Sequence, residues 1–256
     1  MMLQKKGVTG EGVIVFSRDF IIGTALKALC KMKGKHNAEY VRNTDSLFYL
    51  IAENPSCRVV LDIPARNCIY LLCAIRRQYP TLPIIITRRR HLFSDYVTAS
   101  WFGNIWLQDY DTMMAGDLDV IPTEGVAGDE FVHPEEPGVC RGWCHGSPDG
   151  AQALFFLQDW LIYRLRERLA SRQGIKVILN WLEQGGTAAD VGKRLGRSEK
   201  LAYHYRLLLM KELGVRNRAL EFIPSVTVSG GEIPAGCSSV CLMRESVKSF
   251  PETGGI

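Results

Sequence analysis

TAADVGKRLGRSEKLAYHYRLLLMKELGVRNR, Thr187–Arg218, is the stretch whose reading decides the fold. Thr187 is an N-cap side chain and opens a short helix over Ala188–Leu195. Gly196 stops that helix and makes a turn. Ser198 then caps a longer helix that runs to Leu213, and Gly214 ends it. Upstream, Ile175, Ile178, Leu179 and Leu182 recur at helical spacing, and Gly185-Gly186 closes that helix. A short helix, a tight glycine turn and a longer helix form a helix-turn-helix, a motif whose second helix enters the DNA major groove.

Spacing sorts the faces of the second helix. Ala202, Tyr205 or Arg206, Leu209 and Leu213 return every three or four residues and are expected to face a core. Lys200, Tyr203, His204, Leu207 and Lys211 then share the outer face. Tyr203 and His204 have the chemistry to touch base edges, by hydrogen bonds or against a thymine methyl. Arg197, Lys200 and Arg206 suit phosphates, which give affinity without sequence discrimination.

Arg197-Ser198-Glu199-Lys200 and Lys211-Glu212-Leu213-Gly214-Val215-Arg216-Asn217-Arg218 resemble the signature of LuxR/FixJ-type regulators. Trp181-Leu182 with Gly185-Gly186-Thr187 is similar to the RcsA/RcsB-type capsule-synthesis branch of that family. The resemblance implies base reading by Tyr203, His204 and Leu207, and phosphate contacts near Arg197, Ser198, Lys200 and Tyr205. Two departures stand out. Leu201-Ala202 replaces a Thr-Val pair, and Gly174 replaces a first-turn glutamate that would complete a capping box. The second is expected to weaken the preceding helix. Tyr203 and Leu207 stand where polar or basic residues are common, so the sequence recognised should differ from a typical member's.

Charge agrees with a polyanionic partner. Arg164–Arg218 holds 13 Lys and Arg against 5 acids, a net +8, while the whole chain carries +4, so the remainder carries −4. At 46% hydrophobic and 23% charged, the 256 residues fit a globular protein of one large domain or two small ones. No apolar run reaches the roughly 20 residues of a membrane helix, and MMLQKKGVTGEG lacks a signal-peptide core. The expectation is a cytoplasmic protein whose eight cysteines are thiols.

Strands and helices alternate from Gly12 to about Leu118. Val13–Phe16, Val59–Leu61, Ile84–Thr87 and Asn104–Leu107 read as strands, with a weaker one near Ala38–Val41. Ile21–Lys31, Cys68–Gln78 and Phe93–Phe102 read as helices. That order predicts a parallel sheet covered on both faces. Val120–Gly150, with four prolines and many glycines, reads as a linker long enough to let a reading head adjust its position. The expected organisation is therefore a sheet domain over 1–119, a linker over 120–150, a helix-turn-helix domain over 151–223 and an irregular tail over 224–256.

The alternating half resembles the receiver domain of response regulators. The fold class expected is thus an α/β receiver-like domain, a flavodoxin-like parallel sheet, followed by an all-α LuxR-type helix-turn-helix. The receiver resemblance implies a phosphoryl chemistry: two acids after the first strand for Mg²⁺, an acceptor Asp after the third, a Thr or Ser on the fourth and a Lys on the fifth. Asp62 stands at the acceptor position and Thr87 at the switch position. Ser17-Arg18 replaces the acidic pair and Gln108 replaces the lysine. An arginine beside Asp62 repels Mg²⁺, so the expectation is a receiver-shaped module used for dimerisation without phosphorylation.

Cys140-x3-Cys144-His145 and Cys237-x3-Cys241 have looser spacing than a structural zinc knuckle, and no metal or other cofactor is expected. Cys30, Cys57, Cys68 and Cys73 are expected to fill apolar positions. Arg88-Arg89-Arg90-His91 follows the fourth strand, as a contact for an acidic partner or DNA or as a solvated loop. No Ser/His/Asp arrangement or glycine-rich phosphate loop appears, so an enzyme is not expected. The partners expected are double-stranded DNA and a second subunit, a further copy of the chain or an RcsB-like regulator. Two alternatives stay open: a phospho-regulated response regulator with Asp62 as acceptor, and an interaction protein that sequesters another regulator.

Overall fold

VIVF at Val13–Phe16 (β1) is buried at all four positions, as a strand in the middle of a sheet covered on both faces must be. It pairs in parallel with Ala38–Val41 (β2) on one side and with Arg58–Leu61 (β3) on the other. Ile84–Arg88 (β4) follows β3 and Ile105–Asp109 (β5) closes the edge, so the order is β2-β1-β3-β4-β5. Phe20–Met32 (α1), Thr44–Glu53 (α2), Ile69–Gln78 (α3), Phe93–Phe102 (α4) and Tyr110–Ala115 (α5) are the helices of this part. The computed structural model describes residues 12–34, 37–115, 150–169 and 171–231, with the backbone alone for Arg218 and Ala219.

Successive strand residues point to opposite faces. Val13 and Val15 therefore join Leu26, Leu29 and Met113 beneath α1 and α5. Ile14 and Phe16 join Leu47, Leu72 and Phe93 beneath α2, α3 and α4. All five expected strands are present. The last one begins at Ile105 because Gly103 and Asn104, with φ of 63° and 50°, first turn the chain out of α4. Pairing of Thr87 with Gln108 and of Arg88 with Asp109 then carries it past Leu107. Two helices were not anticipated. α2 buries only Leu47 and Ile51, and α5 has six residues, so neither leaves much periodicity to read.

From Gly150 the described chain is helical: Gly150–Arg168 (α6), Arg172–Gln184 (α7), Ala188–Arg194 (α8), Glu199–Glu212 (α9) and Arg218–Ser225 (α10). Residues 116–149, with the expected linker and Cys140, Cys144 and His145, lie outside the described residues, as do Cys237 and Cys241. α6 buries Ala153, Leu157, Leu161 and Leu165, one stripe at every fourth position, and lays it on α3 and α4. The apolar cluster that begins at Ile14 and Phe16 continues through this helix to Ile178, Leu209, Leu213 and Phe222. No described helix is long and apolar enough to cross a membrane.

Polar contacts fasten the helical part to the sheet part. Arg90 Nη1 donates to both carboxylate oxygens of Glu221 at 2.8 Å, and its Nη2 donates to the Gly214 carbonyl. Ser94 Oγ donates to the Pro224 carbonyl at 2.6 Å. Beyond α10 the chain runs back along α3 as a strap. Val226 and Val228 are buried, Ser229 N donates to Arg66 O at 2.7 Å, and Tyr70 N donates to Gly230 O at 3.0 Å. A Cβ on Gly230 would stand 2.2 Å from the Tyr70 ring, so only glycine permits this approach. The segment expected to be an irregular tail from Pro224 is thus helical through Ser225 and packed as far as Gly231. Val226 and Val228 are anchors that the Ser- and Gly-rich composition around them concealed. Residues 232–256 lie outside the described residues.

Candidate nucleic-acid interface

The caps that the sequence predicts are made. Thr187 Oγ1 accepts from Asp190 N at 3.3 Å while Asp190 Oδ2 accepts from Thr187 N at 2.7 Å, a reciprocal capping box on α8. Ser198 Oγ accepts from Leu201 N at 3.3 Å at the start of α9. Gly185, Gly196 and Gly214 end their helices with φ near +60°. Beneath the motif, Val177, Trp181, Ala188, Val191 and Ala202 form a small core. Trp181 Nε1 donates to Gly186 O at 2.8 Å, which ties the end of α7 to that core.

Full burial of Ala202 and Leu209 fixes the inner face of α9. Lys200, Tyr203, His204, Leu207 and Lys211 consequently lie exposed on the outer face, with Arg197 and Ser198 exposed at its start. Tyr203 is 40% and Leu207 44% exposed. Among the described residues Arg197, Lys200 and Lys211 form no ion pair. Arg194, counted in the basic segment, instead donates to Asn180 Oδ1 at 2.9 Å and to Gly185 O at 2.7 Å.

Two residues expected at phosphates are placed differently. The Arg206 guanidinium lies over the rings of Trp181, at 4.4 Å, and Phe222, at 4.8 Å. Such a cation–π stack binds α9 to α7 and α10 and turns the charge away from the outer face. Tyr205 is half-buried, and its ring fills the space beside Gly174, where a Cβ would come within 3.1 Å. Gly174 is therefore more than a missing glutamate: it makes room for Tyr205. The signal was present, since 205 and 206 stand three and four residues beyond buried Ala202.

The other polar site lies at the carboxyl end of the sheet. Asp62 is 6% exposed. Its Oδ2 accepts from Ser17 Oγ at 2.7 Å. Its Oδ1 accepts from the Tyr110 hydroxyl at 2.7 Å and from Arg88 Nη1 at 3.1 Å. Burial first, and then the hydrogen bond to Asp62, push the Tyr110 phenol up to about 12, so it remains a donor. The cation on Asp62 is Arg88, not Arg18 as expected; Arg18 is exposed and lines the adjoining cleft of about 420 Å³. Thr87 and Gln108 face each other in register, and their side-chain oxygens are buried with no hydrogen-bond partner. Asp19 uses Oδ1 to cap α1, accepting from Ile21 N at 2.8 Å and Ile22 N at 3.1 Å. A magnesium ion, which needs free carboxylate oxygens, does not fit these residues. No group of three or more His, Cys, Asp or Glu among the described residues is able to hold a metal.

Of Arg88-Arg89-Arg90-His91, then, Arg88 is bound to Asp62 and Arg90 to Glu221, while Arg89 is exposed. Burial first lowers the His91 imidazole below its ordinary value, and its ring meets Tyr96 edge-on at 6.2 Å.

A five-stranded parallel sheet in the order 2-1-3-4-5, followed by a capped helix-turn-helix, defines the class: a receiver-like domain carrying a helix-turn-helix. The particular protein whose fold it shares is RcsB. The structure of two RcsB dimers bound to two parallel DNAs matches with a TM-score of 0.50 at 16% identity, over 85% of this chain and 100% of that one. The response regulator RcsB in complex with DNA matches with the same values. RcsB from Salmonella enterica serovar Typhimurium, bound to the promoter P1flhDC with the phosphomimetic BeF3−, matches at 0.50 and 16%, over 85% and 98%. No family model matches the chain, and no curated protein matches it by sequence. The expected fold class is the one found.

Proposed function

We propose that this chain is a cytoplasmic, sequence-specific DNA-binding transcription regulator, active as a homodimer or heterodimer without phosphoryl transfer to Asp62. The observation that carries the reading is the outer face of α9: Lys200, Tyr203, His204, Leu207 and Lys211 are all exposed on a helix whose inner face is fully packed. In this role residues 151–223 act as the reading domain and residues 1–119 as the dimerising one. Tyr203, His204 and Leu207 read bases, and Arg197, Ser198, Lys200 and Lys211 hold phosphates. Arg206 and Tyr205 act from behind, by fixing the orientation of α9. One RcsB structure of like fold is of two dimers bound to DNA, which favours the same use here. A second subunit, another copy or an RcsB-like regulator, has an apolar surface to meet on the sheet domain, where Ile21, Met32 and Met114 are 77, 83 and 61% exposed. The engagement of Asp62 by Ser17, Arg88 and Tyr110 supports silence toward phosphodonors.

The test is fluorescence anisotropy of the full chain on a random 20-base-pair duplex over a range of salt. Affinity should fall as salt rises, and Lys200→Ala should reduce the log–log slope by about 0.9, the value for one phosphate contact. Acetyl phosphate with Mg²⁺ should leave the intact mass unchanged. No salt-dependent binding to any duplex would overturn the DNA reading and favour sequestration of another regulator. A phosphoryl adduct that disappears in Asp62→Asn would overturn the silent pocket.

A further inference from the structure

The outer face of α9 is not uniformly polar. Tyr203 and Leu207 are 40% and 44% exposed, and Leu208 beside them is 36% exposed. The helix packs through Ala202 and Leu209, with Tyr205 and Arg206 beside them, and this patch lies on its exposed side. Lys200 and Lys211 bracket this patch along the helix, and Arg197 precedes it. A patch that is apolar in the middle and cationic at both ends fits a surface that is apolar locally and anionic at its borders. In the DNA major groove the phosphates form the borders, and the one strongly apolar group on the base edges is the C5-methyl of thymine.

We infer that Tyr203 and Leu207 read thymine methyl groups, so that the half-site this chain selects has thymines at neighbouring base pairs. The inference rests on the DNA-binding reading above and specifies its substrate. Residues 203 and 207 are one turn apart, about 6 Å along the helix. Base pairs follow each other at about 3.4 Å. The two side chains therefore span about two base-pair steps, and the two methyls lie within three consecutive pairs, on either strand. His204, between them in sequence and exposed, supplies the polar contact on this stretch. Phosphate contacts from Lys200 and Lys211 set the register but do not distinguish thymine from cytosine.

Replacing thymine by deoxyuridine removes the methyl and leaves every hydrogen-bonding group in place, so it isolates the proposed contact. Duplexes enriched by the full chain from a random-sequence pool are to be remade with deoxyuridine at each thymine in turn. Affinity should fall about fourfold at each of two positions no more than two base pairs apart, the value for burial of one methyl-sized group. Leu207→Ala should lose affinity for thymine duplexes and lose nothing further on the deoxyuridine duplex at its own position, and Tyr203→Ala likewise at the other. Both residues are exposed, so equal melting temperatures of the variants and the parent verify that the fold is intact. Specific binding that is indifferent to every deoxyuridine replacement would overturn methyl reading while leaving DNA binding in place. If the pool yields no enriched duplex and none is retained at low salt, the DNA-binding reading itself is wrong, and this inference falls with it.

Discussion

Asp62 and Lys200 are both charged groups at the end of a structural element, yet their situations are opposite. Asp62 receives three hydrogen bonds from its own chain. Lys200 forms no ion pair among the described residues and faces outward. A charged group that is satisfied within the molecule has little left to offer a ligand, and breaking its contacts costs stability. A charged group without an internal partner contributes little to stability and is free to act on something outside. The sheet site holds a buried carboxylate surrounded by donors. On the outer face of α9, Lys200 and Lys211 form no ion pair among the described residues. The two sites differ in what they leave available: Asp62 is occupied from within, and Lys200 is exposed.

This contrast is open to attack at its strongest point first. Asp62→Ala removes the shared acceptor of Ser17, Tyr110 and Arg88, and should cost about 3 kcal/mol of stability. The measurement is the urea midpoint at unchanged m-value. Affinity for DNA of the fraction that remains folded should not change; a folded variant that has lost DNA binding would join the two sites that are separated here. Next in size, Tyr203→Ala or His204→Ala should cost about 1–3 kcal/mol on an enriched duplex and nearly nothing on random DNA, without a change in melting temperature. An equal loss on both duplexes, or a lower melting temperature, would return these residues to a packing role.

The smallest effect concerns Glu221. Desolvation acts to raise its carboxyl, but hydrogen bonds from Arg216 N and Asn217 N, together with Arg90, outweigh it and hold the group below its ordinary value of 4.5. A depressed folded value means that this contribution to stability is complete above 4.5 and disappears as pH falls through the folded value. Melting temperature should therefore drop on acidification below that point, and drop less in Glu221→Gln. An identical acid profile for the two proteins would mean that the Arg90–Glu221 contact does not stabilise the joint between the halves.

Much of this was legible because it is local. Helix caps and glycine stops act within four residues, so Thr187, Ser198, Gly196 and Gly214 mark α8 and α9 correctly. The strands were legible because β1, β3 and β4 are buried along most of their length and each carries an apolar run, VIVF, VVL and III. What the sequence concealed depends on residues distant in the chain. Whether Arg206 points outward is settled by Trp181 and Phe222, 25 residues before it and 16 after. Arg18 follows β1 and Arg88 ends β4, and both strands flank β3, so which arginine meets Asp62 is set by side-chain placement that the sequence does not display. The strap was hidden for the same reason: two valines are too few for a pattern, and the bonds that hold it, Ser229 to Arg66 and Tyr70 to Gly230, join residues at least 160 apart in the chain.

The strap has a consequence for the order in which this protein is made. Every strand of the sheet has been synthesised once Asp109 is in place, and α5 ends at Ala115. Among the described residues, α6, α10 and the run to Gly231 cover the outer side of α3 and α4. At about 5–20 residues per second, the 116 residues between Ala115 and Gly231 take roughly 6–23 s to emerge from the ribosome. During that interval the apolar flank of the nascent sheet domain is covered in stages, by α6 first and by the run to Gly231 last. Val226 to Gly231 thus completes that cover, and a message truncated shortly before codon 226 should yield an aggregating product although α8 and α9 are complete.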